Sequence, residues 1–211
     1  MPPAAERMIE SYPMAARSFP TVMGVMLLAA TCAACGPAAP RLHGSPYDPP
    51  DRAPNIDLID TAGKPFRLEA LGDSAVLVYF GYTQCPDECP LTLANARWVA
   101  EELGDLGARL AMILVTVDPA NDSPQVLRAY LDRFNPRFIG LSGSDEQLSQ
   151  AKLAYGVLTI TPDSSHDDGE VIHGTRLYLI DPQGRLVTSY DMSIPKEDIL
   201  DDVRALLEGG S

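Results

Sequence analysis

Residues 75–90 read Ala75-Val-Leu-Val-Tyr-Phe80-Gly81-Tyr82-Thr83-Gln84-Cys85-Pro86-Asp87-Glu88-Cys89-Pro90. The first six form a continuous apolar run, which predicts a strand covered on both faces. Beyond the run, Leu91 to Leu103 carries Leu93, Ala96, Trp98, Ala100 and Leu103 with helical character and stops at Gly104. The loop with both cysteines therefore leaves the carboxyl end of a buried strand and enters a helix. In α/β sheets such loops are where sites are built, and the helix amides there favour an anion such as a thiolate.

Working outward, the same alternation continues. An apolar strand is expected from Leu110 to Val117, then a helix from Ser123-Pro124 to Phe134 with proline in its first turn. A short strand around Phe138 to Leu141, a helix from Asp145 to Tyr155 and a loop rich in Gly and Asp follow. The chain closes with a strand from Arg176 to Ile180, a turn at Asp181-Pro-Gln-Gly184, a strand from Leu186 to Tyr190 and a helix from about Pro195 to Leu207. On the amino-terminal side, Asn55 to Asp60 and Phe66 to Leu68 predict a small hairpin turning at Gly63. Strands separated by helices indicate the α/β class: a central mixed sheet flanked by helices, with an N-terminal hairpin.

The first residues belong to export. From Met14 the chain runs MAARSFPTVMGVMLLAATCAACG, with Arg17 as a positive n-region, an apolar stretch from Val22 to Ala30 and small residues before a cysteine. That is signal-peptide architecture, and the stretch is shorter than the roughly 18 to 20 residues of a membrane span. Residues 1–34 are read as the signal peptide, with Met1 or Met14 as the initiator. Cys32-Ala-Ala-Cys35-Gly resembles a bacterial lipoprotein box, with Cys35 as the lipid-modified first residue of the mature protein, because Ala34 suits the cleavage point better than Thr31. Cys32 stands where such boxes usually carry Leu. Residues 36–54 hold prolines at 37, 40, 46, 49, 50 and 54, so 35–54 is expected to be a lipid-anchored, semi-rigid tether, leaving 55–211 as the domain proper.

Composition narrows the function. The chain has 211 residues, 45% hydrophobic and 21% charged, with a net charge of −13, so a globular domain is expected and binding to nucleic acid is not. The leader contributes Glu6, Arg7, Glu10 and Arg17, which cancel, so the acidity belongs to the exported domain. GxGxxG and GxxxxGK[ST] are absent, which removes support for nucleotide chemistry.

Cysteines four apart on a helical turn have Cα atoms roughly 6 Å apart. That spacing suits a disulfide, and it also lets two sulfurs converge on one metal ion. A third ligand would decide. His43 lies in the proline-rich tether, where a solvated side chain is expected, and His166 lies in the polar loop Ser-Ser-His-Asp-Asp-Gly. His173 stands in Val-Ile-His-Gly-Thr, an apolar approach to a strand, with Gly174 permitting close backbone contact.

Taken together, Gly81-Tyr82-Thr83-x-Cys85-Pro86-Asp87-x-Cys89-Pro90, Val115-Thr-Val-Asp118-Pro119 with Asp122-Ser-Pro124, and Ile172-His173 ahead of Tyr178-Leu-Ile-Asp181 resemble the Sco/SenC family from about residue 50 to 208. The resemblance implies a thioredoxin-like domain, held at a membrane outside the cytoplasm, that binds one copper ion through Cys85, Cys89 and His173. It also implies service in assembling the binuclear copper centre of cytochrome c oxidase, with subunit II as the recipient and another periplasmic copper chaperone or a thiol reductant as further partners. Two thiolates and an imidazole suit Cu(I), and Cu(II) can be held with an added oxygen ligand. A closed zinc site would want four protein ligands. Gln84 and Glu88 depart from the family pattern without touching the three ligands, and Asp118 is expected to shape the nearby loop. Trp98, Tyr79 and Phe80 are read as core.

The competing expectation is an enzyme, a thiol-disulfide reductase acting through Cys85 and Cys89 on oxidase or other exported cysteines. The CxxxC spacing, the missing Trp and His173 where thioredoxin-type reductases place a proline favour copper delivery. The location follows as exported, facing the periplasm or the cell exterior.

Overall fold

The computed structural model describes residues 41–160, 172–173 and 176–209, with 159, 160, 172 and 173 described through their backbone. The leader with Cys32 and Cys35, the start of the tether and His166 lie outside the described residues. In chain order the elements are β1 (Ser45–Arg52), β2 (Ile59–Asp60), β3 (Ala75–Gly81), α1 (Glu88–Glu102), β4 (Leu110–Thr116), α2 (Pro124–Asp132), β5 (Ile139–Ser142) and α3 (Asp145–Ala154). They continue with β6 (Thr159–Ile160), β7 (Ile172–His173), β8 (Leu177–Ile180), β9 (Arg185–Tyr190) and α4 (Lys196–Gly209).

The apolar run at 75–81 becomes the middle of the sheet, and every one of its residues is buried. Successive strand side chains point to opposite faces, so complete burial means that both faces are covered. Among the described residues the main sheet has the order β1-β9-β8-β3-β4-β5-β2. β3, β4 and β5 run parallel, with Ala75 opposite Leu110 and Gly81 opposite Thr116, while β8, β9, β1 and β2 join antiparallel. This is the expected mixed sheet, and the two strand ends that matter, Gly81 and Thr116, lie side by side.

Helix starts follow local chemistry. Ser123 caps α2 by accepting the Val126 amide at 3.3 Å, with Pro124 in the first turn. Ser144 and Gln147 form a reciprocal capping box on α3. α2 lies directly on the sheet: a Cβ on Gly140 would come within 2.9 Å of Leu127 and Leu131 side-chain atoms. Among the described residues no helix is long and apolar enough to cross a membrane.

Three differences from the sequence reading have physical causes. Part of the stretch read as a tether is the edge strand β1, paired with β9 from Ser45↔Ser189 to Arg52↔Arg185 with an irregularity between Pro46 and Asp51. Edge strands tolerate proline because one side of their backbone needs no ladder bond, so the prolines that suggested a tether also fit an edge. The predicted solvated His43 is instead held by α4: its Nδ1 lies 2.7 Å from Asp202 Oδ1, and its backbone N–H donates to both carboxylate oxygens. The hairpin turn at Gly63 forms, with Gly63 N donating to Asp60 O at 2.9 Å, but its second arm is only a single bridge, Pro65 opposite Ile59 with the Phe66 amide donating to Leu58 O at 2.8 Å, and a short 3-10 turn at Leu68–Leu71 follows it.

Candidate metal centre

Construction of the site begins at the end of β3. Gly81 is required by close packing, since a Cβ there would sit 2.8 Å from Cys89 Sγ and 2.8 Å from the Tyr79 ring. Its carbonyl accepts the Val117 amide at 2.9 Å. From here the chain turns through Tyr82, which is buried, and the Cys85 amide donates back to the Tyr82 carbonyl at 3.4 Å. The glycine and this turn bring the chain round so that the following helix can set its first turn against the strand end.

Thr83 is pinned by a carboxylate from the neighbouring loop. Its hydroxyl donates to Asp122 Oδ1 at 2.5 Å and its amide donates to both Asp122 oxygens at 3.2 and 3.3 Å, while the Thr116 hydroxyl donates to Oδ2 at 2.6 Å. Asp122 is only 1% exposed. A buried carboxylate is tolerable when its lone pairs are filled, and here they are filled by the end of β4 and the cysteine loop. Asp118 shapes the same loop as expected: its carbonyl accepts the amides of Asn121 and Asp122, and its carboxylate accepts from the Asn121 side chain at 2.8 Å.

α1 begins at Glu88, three residues earlier than the apolar pattern suggested, and this takes Cys89 into its first turn. Cys85 stands just before the helix, and its sulfur accepts the Cys89 amide at 3.4 Å. Both cysteines are free thiols. They differ in environment: Cys85 is half-buried, whereas Cys89 is fully buried, and burial pushes the Cys89 thiol above its ordinary range. Its S–H points to the Tyr79 hydroxyl at 3.9 Å. The pair thus offers one sulfur near solvent and one in a dry wall.

His173 lies on β7, opposite Thr159 of β6 in an antiparallel two-stranded sheet. The structure therefore brings Cys85 and Cys89 together, and puts the His173 backbone in an ordered pairing that the Gly- and Asp-rich loop did not announce. Among the described residues no three His, Cys, Asp or Glu side chains form a metal-holding group.

Of the three aromatics read as core, Phe80 packs there as expected, at 5.4 and 6.2 Å between ring centroids from Tyr155 and Tyr178. Tyr79 does so only through its ring, since its hydroxyl reaches Cys89. Trp98 is half-buried, with Lys196 Nζ 4.3 Å above its ring. The Asp122 clasp was visible only as part of a motif, because nothing in one chain's spacing pairs residue 122 with residue 83.

Similarity to known proteins agrees with this architecture. Residues 46–208 match the SCO1/SenC family. The SCO2-like protein of Rickettsia felis is 34% identical over 146 residues, which cover 68% of this chain and 71% of that protein. A solved structure of Bradyrhizobium japonicum ScoI with copper bound superposes with a TM-score of 0.66 at 28% identity, covering 74% of this chain and 99% of the other. Yeast Sco1 with copper bound does so with a TM-score of 0.64 at 31% identity, covering 73% and 87%. The mixed sheet with its flanking helices is thus the thioredoxin-like fold of the Sco proteins, and the chain belongs to the SCO1/SenC family.

Proposed function

We propose that this protein is an exported copper chaperone that binds one copper ion through Cys85, Cys89 and His173 and passes it to the binuclear copper centre of cytochrome c oxidase subunit II. The observation that carries the reading is the meeting of two free thiols at the β3–α1 junction, Cys85 just before the helix and half-buried, Cys89 in its first turn and buried. The copper bound to the solved ScoI and yeast Sco1 structures supports the choice of metal. Copper here is cargo. A soft donor pair with a solvent-facing member suits an ion that must be accepted and surrendered, whereas a closed four-ligand site would retain it.

The protein's own contribution is orientation. Asp122 holds the loop that carries Cys85, Gly81 admits the Cys89 sulfur to the strand end, and the Cys89 amide supports the Cys85 sulfur. His173 completes the donor set in this reading. Cys35 is the lipid attachment point, residues 1–34 are the cleaved leader, and the domain faces the periplasm or the cell exterior.

Anaerobic titration of the reduced protein with Cu(I) tests the ligand set. Saturation at one equivalent is expected, with strong weakening in His173→Ala and loss in Cys85→Ser and Cys89→Ser; unchanged affinity in His173→Ala removes the histidine. Mass spectrometry of the mature protein tests Cys35, where an acylated N-terminal cysteine is the expected species. A second reading, thiol-disulfide reduction of exported cysteines, is favoured by the same two free thiols. In a deletion strain, recovery of oxidase activity by added copper supports delivery, and recovery by a small thiol supports reduction.

A further inference from the structure

Asp202 on α4 is a carboxylate only 2% exposed, and the hydrogen bonds that satisfy it come from outside its helix. The Tyr190 hydroxyl of β9 donates to Oδ2 at 2.8 Å. The rest is supplied by His43, whose amide donates to Oδ1 and Oδ2 at 3.1 and 2.9 Å and whose ring Nδ1 lies 2.7 Å from Oδ1. A buried carboxylate is stable only while its lone pairs are filled. Without His43, one neutral phenol would be left to fill them.

The same close fit continues along the chain. Leu42 packs against the core. A Cβ on Gly44 would collide with the Thr188 hydroxyl and come within 2.8 Å of the Ser189 carbonyl oxygen and the Tyr190 ring, so only glycine lets the backbone lie this near to β9. The fully buried Thr188 hydroxyl donates to the Ser45 carbonyl at 3.0 Å, and the β1–β9 ladder then takes over. Together α4 and β9 form a seat shaped for a polypeptide backbone, and its occupant is the segment through which the chain enters the domain.

What this does to the anchored protein follows from chain length. Eight residue steps separate Cys35 from His43, and eighteen separate it from Ala53, whose amide donates to the Gly184 carbonyl and is the next fixed point. At no more than about 3.4 Å per step, these spans reach roughly 27 Å and 61 Å. We propose that residues 42–52 are a strap, seated on Asp202 and β9, that keeps the domain within the shorter reach of its lipid anchor and so sets the height of the cysteine loop above the membrane. The seat is a statement about the fold alone; the height rests on the reading of Cys35 as the lipid attachment point.

Two variants of the full-length protein test this from opposite sides of the seat, Gly44→Val on the strap and Asp202→Asn on α4. Hydrogen exchange of amides 43–52 is expected to be roughly tenfold faster in both, as the loss of hydrogen bonds to a charged group implies, while exchange in β3 stays slow. Gly44→Val leaves α4 intact, so it decides even where Asp202→Asn loosens the core, and unchanged exchange at 43–52 in Gly44→Val overturns the seat. The height is read from Trp98, the only tryptophan in the chain, by energy transfer to a dansyl-labelled lipid in phosphatidylglycerol vesicles carrying the acylated protein. Wild type should show transfer, and most of it should be lost in both variants. Faster exchange with undiminished transfer overturns the control of height. A mature protein without acyl mass overturns the Cys35 reading instead, and faster exchange in the variants then still sustains the seat.

Discussion

Asp122 and Gly81 show how single residues set the cysteine loop. Asp122→Ala would leave the Thr83 amide, the Thr83 hydroxyl and the buried Thr116 hydroxyl without their acceptor. Unmade bonds of this kind typically cost about 1 to 3 kcal/mol each, and partial relaxation of Thr83 toward water makes roughly 3 kcal/mol a reasonable total. Urea denaturation should show that loss, with a smaller one for Asp122→Asn, which keeps one acceptor oxygen. Equal midpoints for wild type and Asp122→Ala would remove the clasp. Gly81→Ala acts from the other side of the site, forcing a methyl group to within 2.8 Å of Cys89 Sγ. Overpacking of this kind costs about 1 to 3 kcal/mol, and because the displaced atom is a donor sulfur, Cu(I) affinity should fall together with the urea midpoint. At this scale the sequence was informative about type and weak about pairing. It marked Cys85 and Cys89 as chemistry and Asp118 as loop-shaping, but nothing in one sequence tells that Tyr79 turns its hydroxyl to a sulfur.

Among the elements, those with strong local signals emerged where expected, and those stabilised by distant partners did not. β3 and β4 follow from apolar runs, and α2 and α3 from their serine caps. β1 is different, because its prolines and charged residues give no strand pattern and its pairing is with β9, far along the chain. The short β6 and β7 likewise depend on each other. The end of β1 is fixed by His43, and this has a pH consequence. The hydrogen bond and charge of Asp202, with smaller contributions from Asp198 and Asp201, raise the His43 pKa above its ordinary value. A raised folded-state pKa means that the proton-linked stabilisation is fully present below the unfolded value of about 6.5 and is lost as pH rises through the folded value. His43→Gln should therefore lower the urea midpoint clearly at about pH 5.5 and less at about pH 9. The same loss at both pH values would mean that the imidazole charge contributes nothing beyond the hydrogen bond the ring makes to Asp202 in either protonation state.

Across the whole molecule, the proposed ligands come from two separated parts of the chain: the β3–α1 junction supplies both cysteines, and the strand after the Gly- and Asp-rich loop supplies His173. An ion held by all three ties the end of the seven-stranded sheet to the β6–β7 pair, so binding should stabilise the fold as a unit. Ligand binding to the native state alone adds RT ln(1 + [L]/Kd), about 2.7 kcal/mol at a free concentration of 100 times Kd. For a domain of this size each kcal/mol raises Tm by roughly 2 to 4 °C, so Cu(I) should raise it by about 5 to 10 °C. Thermal unfolding of the reduced full-length protein with and without Cu(I) measures this, and a strong Cu(I) chelator should reverse it. Cys89→Ser should show almost no rise, because a buried hydroxyl is a poor exchange for a soft thiolate. His173→Ala separates two arrangements of the site. A rise reduced by several degrees at the same Cu(I) concentration is expected if the histidine closes the site across the two sheets, whereas an undiminished rise would mean that the cysteine pair holds the ion alone and that β7 is not linked to the metal.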